Sequence, residues 1–218
     1  MISVDRKEEE EGEDLKEIRK MAVKLQEVDN EVTISFNGEK NEVVNAIRRV
    51  IIDDVMTFAI EDVEIVKNES PLYDETFSHR LGLVPLKTNL KDYNVKSECK
   101  CGGVGCALCE VTLTLKQKGE GYVYSGELKS DDPQIVPVDT KIPVTKLFAD
   151  KEVEVRCKAI LGSGRDHAKW APAHAYLKEA GKGIDLILEL HGQLSGKETF
   201  NASIDVLVSK IEEMEAEL

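Results

Sequence analysis

EVTISFNGEKNEVVNAIRRVIIDDVMTFAIEDVEIVKNES, residues 31–70, changes its hydrophobic period twice. In residues 31–36, Val32, Ile34 and Phe36 alternate with Glu31, Thr33 and Ser35, the pattern of a strand buried on one face. Asn37-Gly38 predicts a turn. From Asn41 to Val55 the apolar residues Val43, Val44, Ile47, Val50, Ile51 and Val55 recur at helical spacing, which gives a helix with one apolar face. Residues 57–70 return to period two, with Ile60, Val63 and Ile65 expected to point inward. A strand, a helix and a strand thus follow one another within forty residues.

Further along, LYDETFSHRLGLVPL (72–86) reads as a short helix leading into a strand or turn at Pro85. VTLTLKQKGEGYVYSGEL (111–128) reads as a hairpin turning at Gly119 and Gly121. Pro133, Pro137 and Pro143 place 132–147 in edge or looping segments. KEVEVRCKAIL (151–161) alternates again, and GSGRDHAKWAPA (162–173) reads as loop. In IDLILELHGQL (184–194), Ile184, Leu186, Leu188 and Leu190 share one strand face. The last segment, NASIDVLVSKIEEMEAEL, offers Asn201 as an N-cap. A helical stripe follows: Ile204, Leu207, Val208, Ile211, Met214 and Leu218. Either the core or a partner must cover it. Helices and strands mix at both ends and the middle is β-rich, so the expected class is α+β with the middle inserted between the ends.

The 218 residues carry a formal charge of −13, with 41% hydrophobic and 5% aromatic residues. Such a chain repels phosphates as a whole, and no basic run or basic aromatic patch stands out, so direct reading of nucleic acid is not expected. Residues 7–20 are charge-rich and read as a solvated tail or frayed helix rather than an interaction arm. The N-terminal residues lack the apolar segment of a signal peptide, and no apolar run approaches the ~18 residues of a membrane helix. The expected location is the cytoplasm, with no membrane contact.

In such a compartment, cysteines read as metal ligands or free thiols before disulfides. CKCGGVGCALC, residues 99–109, spaces four of the five as C-x-C-x4-C-x2-C. Cys99, Cys101, Cys106 and Cys109 can converge on one ion because Gly102, Gly103 and Gly105 let the backbone curl. Structural zinc is the leading reading. Unmetallated or oxidised thiols, an iron–sulfur cluster and a redox thiol pair are the others. Four thiolates leave no open position for a catalytic water. Cys157 lies in an alternating strand and reads as a small buried apolar residue.

No constellation for catalysis stands out. GSGRDHAKW has the glycines of a phosphate loop but lacks its lysine and its following apolar helix. G-x-S-x-G, H-E-x-x-H and G-x-G-x-x-G do not occur, and His79, His167, His174 and His191 are scattered.

NAIRRVIIDDV, TFAIEDVEIVKNES and DETFSHRLGLVPL, all within 41–86, resemble the α-like assembly subunits of cellular RNA polymerases, most closely the archaeal D-type form. The sharpest parts are Asn45 to Val50, and Asp74-Glu75 through His79 to Leu86. GSGRDHAKWAP, IVPVDTKI and ELHGQL fit in order and place, and the cysteines fall where many members carry a zinc loop. The resemblance covers about residues 22–218. It implies a dimerisation domain built from 22–66 and 172–218, an inserted β-rich domain at 67–171 with the four-cysteine loop, and an acidic tail at 1–21. It further implies a subunit without chemistry of its own that pairs with a smaller α-like subunit, L, beside small subunits N and P, and supports the second-largest catalytic subunit. Ile204, Leu207, Val208, Ile211 and Met214 would then face the partner. Arg48 and Arg49 would touch the catalytic subunit unless they are simply solvated. Some members insert an iron–sulfur module after the HAKW segment; here the short stretch from Trp170 to Ile184 has no cysteine. Met56 stands where proline is common. The other reading is a free-standing zinc-binding adaptor.

Overall fold

The computed structural model describes residues 23–37, 40–181 and 183–217. The acidic tail, Gly38 and Leu218 lie outside the described residues. The chain is mixed α+β, with ten strands and three α-helices among the described residues. Its hydrophobic residues sort into two cores.

The first core joins the chain ends. Strands β1 (Val23–Val28), β2 (Glu31–Asn37), β9 (Ala173–Ala180) and β10 (Gly183–Leu190) form one antiparallel sheet in the order β1-β2-β10-β9. Val32, Ile34 and Phe36 of β2 and Ile184, Leu186, Leu188 and Leu190 of β10 point to one face, as their alternation predicts. Helix α1 (Asn41–Asp53) lays Val44, Ile47 and Ile51 on that face. Six of its thirteen residues are β-branched, poor helix formers by themselves, so packing rather than propensity holds it. Helix α3 (Gly196–Ala216) covers the same sheet through Phe200, Ile204 and Leu207. Its fully buried positions are the small residues Gly196, Thr199 and Ser203.

α3 starts five residues before the sequence-based N-cap, and Asn201 sits exposed inside it. Ser195 caps instead. Its hydroxyl accepts the Glu198 amide at 3.3 Å while the Glu198 carboxylate accepts the Ser195 amide at 3.0 Å. This reciprocal pair satisfies two end amides, where Asn201 could satisfy only one.

The second core lies between the two halves of the first. β3 (Met56–Asn68), β4 (Glu110–Lys118), β6 (Lys129–Ser130) and β8 (Glu152–Ser163) form a sheet in the order β3-β8-β4-β6. β3 pairs with β8 from Met56 to Asn68, so the boundary expected at 66/67 falls inside a strand. A bulge between Ile60 and Asp62 shifts the alternation by one and returns Val63 to the side of Ile60. Helix α2 (Asp74–Gly82) closes one face with Phe77 and Leu81. Asp74 and Glu75 in its first turn and His79 and Arg80 in its last complement the helix dipole.

The expected hairpin of 111–128 does not form. β4 pairs with β8 and β6, whereas β5 (Gly121–Tyr124) leaves the sheet and pairs with β7 (Pro143–Leu147). The Gly119 amide bonds to the carbonyl of Lys151, so β4 ends on the turn that opens β8 rather than folding back on β5. Long β8 is the better partner because it matches β4 over nine residues.

Candidate functional site

The four cysteines of 99–109 converge. All four sulfurs lie within 4.8 Å of one another. Cys99 and Cys106 are 3.6 Å apart, Cys101 and Cys109 3.7 Å, and Cys106 and Cys109 3.8 Å. These separations exceed a disulfide bond and match the ~3.8 Å edge of a tetrahedron of sulfurs about 2.3 Å from a central ion. Thiolates around a cluster of several metals would stand farther apart, so one tetrahedral ion fits best.

Two turns build the arrangement. The Gly102 amide donates to the Cys99 carbonyl at 2.9 Å, and the Cys109 amide to the Cys106 carbonyl at 3.0 Å. Between them Gly103 (φ +81°) and Gly105 (φ +104°) take left-handed conformations that a side chain resists. The Cys106 amide points at the Cys109 sulfur, 3.4 Å away. The Gly105 backbone holds the Cys101 thiol down at about 6, while burial pushes Cys109 up to about 12. A cation takes such sulfurs as thiolates and displaces their protons. Glu110, next to the last ligand, accepts from Lys96 at 3.0 Å and pairs with Lys158 at 3.3 Å. Burial opposes its ionisation, but the two ammonium groups outweigh it and hold its carboxyl below the ordinary range. Cys157 is fully buried in β8 and its thiol is pushed up to about 12 by burial, as befits an inert core residue.

The remaining sequence-selected residues sit far from this loop, on α1 and α3. Arg48 is half-buried and donates to Asn45 at 3.0 Å, and Arg49 is exposed. Ile204 and Leu207 pack partly into the chain's own core. Val208 and Ile211 are half-buried, and Met214 is 67% exposed. The stripe thus divides: its first part holds α3 to the sheet and its last part faces outward.

Residues that periodicity could not reveal join the two cores. Asp54, at the C-terminal end of α1, pairs with Lys210 of α3 at 2.6 Å and with Arg165 at 2.8 Å. A carboxylate at the negative end of a helix is unfavourable alone. Burial also raises its pKa, but the two cations overcome this and hold the carboxyl low. Buried Gln193 donates to the Thr57 hydroxyl and the Lys169 carbonyl, both at 3.2 Å, and Thr57 donates to the Trp170 carbonyl at 2.6 Å. Lys169 donates to the Ile60 carbonyl at 2.9 Å and stacks 4.3 Å over the Trp170 ring. Gly164 rests on the end of α1, where an added Cβ would stand 1.9 Å from the Ile52 carbonyl oxygen. GSGRDHAKW therefore fastens one sheet to the other; its glycines serve close packing.

Two antiparallel sheets, one made of both chain ends and one threaded between them, define an α+β protein of the RpoA/Rpb3 type with an inserted β unit. Residues 63–176, more than half of the chain, match the family described as RNA polymerase Rpb3/RpoA insert domain, and the chain belongs to it. It is 42% identical over 156 residues to the DNA-directed RNA polymerase subunit Rpo3 of Methanosphaera stadtmanae, covering 69% of this chain and 57% of the relative. The Rpo3 subunit of Methanothermobacter thermautotrophicus is 42% identical over 159 residues, covering 71% and 60%. That of Methanosarcina mazei is 46% identical over 127 residues, covering 58% and 48%. The chain thus spans about half to three fifths of these curated relatives.

Proposed function

We propose that the chain is a non-catalytic assembly subunit, of the type lettered D, in a multisubunit DNA-dependent RNA polymerase of the cytoplasm. The observation that carries this is the family match laid over a fold whose two ends make one sheet with a helix surplus to its core. In this reading the two chain ends, through α1 and again from β9 onward, act as the dimerisation domain, and the insert expected at 67–171 is extended back to Met56 because β3 pairs with β8 along its length. Val208, Ile211 and Met214 face the small α-like subunit L, and Ile204 and Leu207 buttress them from the core side. Exposed Arg49 and half-buried Arg48 reach the second-largest catalytic subunit, and small subunits N and P lie alongside. Interfaces of permanent assemblies are large and apolar, as this helix end requires. A charge of −13 leaves little role for direct nucleic-acid contact. Among the described residues no helix is long and apolar enough to cross a membrane.

The cysteine clip takes zinc in a structural role. Cys99, Cys101, Cys106 and Cys109 hold it, and the ion fixes a loop that has little core of its own.

The test is an affinity pull-down of the chain from its own cell extract, with bound proteins identified by mass spectrometry. Recovery of the two large catalytic subunits and a small α-like subunit in near-equal amounts is the expected result. Recovery alone or with unrelated partners would overturn the assembly reading and favour a free-standing zinc-binding adaptor.

A further inference from the structure

A 540 Å³ cleft opens where the two units meet. Leu83 and Pro85, just past α2, line it from the middle unit. Ile52 of α1, Ala171 and Ala173 line it from the chain ends, together with Ala168 of the loop after β8. These walls are apolar, and Leu83 is left 49% exposed beside them. His174 and His191 also line the cleft, as an edge-to-face pair with ring centroids 5.3 Å apart. A mostly apolar hollow of about 300–1,000 Å³ at the junction of two units is a usual setting for a small molecule.

The polar groups say what that molecule carries. Gln193 forms part of the wall and is 3% exposed. Its side-chain oxygen is buried without a hydrogen-bond partner among the described residues. Its amide nitrogen donates to the Thr57 hydroxyl and the Lys169 carbonyl, so the trigonal amide turns its oxygen away from both. A buried acceptor left unpaired is costly, and a donor from a ligand removes that cost. Among the described residues no carboxylate lines the cleft, and its one ammonium, Lys169, is already engaged by the Ile60 carbonyl and the Glu61 carboxylate. A phosphate or carboxylate would find no permanent cation free to meet it, so a neutral occupant fits. The imidazole pair offers ring faces and edges to a flat one.

We propose that the cleft binds a small, neutral heteroaromatic molecule bearing a ring N–H, of the indole class. Its ring lies between Leu83 and the alanines, and its N–H donates to the Gln193 side-chain oxygen. Such a molecule touches both units and braces the joint between them. This does not depend on the polymerase reading.

The experiment is calorimetric titration of indole into the full chain whose cysteines have first been loaded with zinc, with melting followed in parallel. One indole per chain and a raised melting temperature are expected. N-methylindole, which lacks the donor, should bind about tenfold or more weakly, because the Gln193 oxygen stays unpaired. Leu83→Glu, at an exposed position, abolishes binding and leaves melting of the free chain unchanged, whereas Tyr176→Ala, exposed on the chain-end sheet, leaves binding unchanged. Absence of indole binding, equally tight binding of N-methylindole, or binding that survives Leu83→Glu would overturn the site. Tighter binding of N-acetyltryptophanamide than of indole would overturn the small-molecule assignment and give the cleft to a tryptophan of a partner protein.

Discussion

Asp54 shows how much one side chain can join. It stands at the end of α1 and holds Lys210 of α3 and Arg165 of the loop after β8. Its folded pKa lies below the ordinary value, so the stabilisation is fully present above the unfolded value near 3.8 and fades as pH falls through the folded value. Asp54→Asn is therefore expected to remove part of the stability loss below about pH 4 while lowering stability at neutral pH; urea unfolding at pH 7 and pH 3 measures both. Gly164 gives a steric test. Gly164→Ala forces a methyl into the Ile52 carbonyl and should cost about 1–3 kcal/mol, whereas Gly82→Ala meets its nearest neighbour, the Ile60 carbonyl oxygen, at an ordinary 3.5 Å. The second change should be nearly neutral in the same denaturation measurement.

Among the elements, α3 carries the sharpest expectation. Leu207→Asp strikes the chain's own core and should lower stability as well as pairing. Ile211→Asp and Met214→Asp should leave melting temperature nearly intact and abolish the 1:1 complex with a co-expressed small α-like partner, read by size-exclusion chromatography. Ser195→Ala removes the cap and should cost about 1 kcal/mol. The cysteine loop should behave independently. Cys106→Ser with Cys109→Ser, or chelation, should loosen the middle unit and leave protection of α3 unchanged, a difference that hydrogen exchange resolves element by element. These elements also mark what could be read in advance. Alternating runs announced β2, β8 and β10, and helical spacing announced α1, because one buried face imposes its period on the sequence. The helix start at Ser195 was legible in S-x-x-E but lost to a competing Asn201. The pairing of β5 with β7 was not legible, since strand partners are chosen by long-range fit and the glycines at 119 and 121 suit a sharp turn or a departure equally.

Over the whole molecule, the convergence of the four cysteines was legible because they sit within eleven residues, whereas the joint was not. Thr57 and Gln193 are 136 residues apart in the chain. Nothing local in TFAI or HGQL shows that one will donate to the other. The family pattern in GSGRDHAKW marked a place without its purpose, which is visible only once Trp170, Lys169 and Gly164 are seen bridging two sheets. With both cores closed separately and fastened by polar contacts, the protein should unfold in two stages when the joint is weakened: Gln193→Ala is expected to separate the calorimetric transition of the chain-end unit from that of the middle unit.

Met56, where the chain crosses into the middle unit, is paired with Ser163, where it crosses back. The two crossings are neighbours on adjacent strands, so the stretch from 57 to 162 leaves and rejoins the remainder of the chain at one place, beside the polar joint through Thr57 and Gln193. Evolution can lengthen, trim or exchange that stretch as a cassette without rerouting the ends that make the other sheet. A gene in which a short linker replaces it should still yield a folded α1–α3 sandwich.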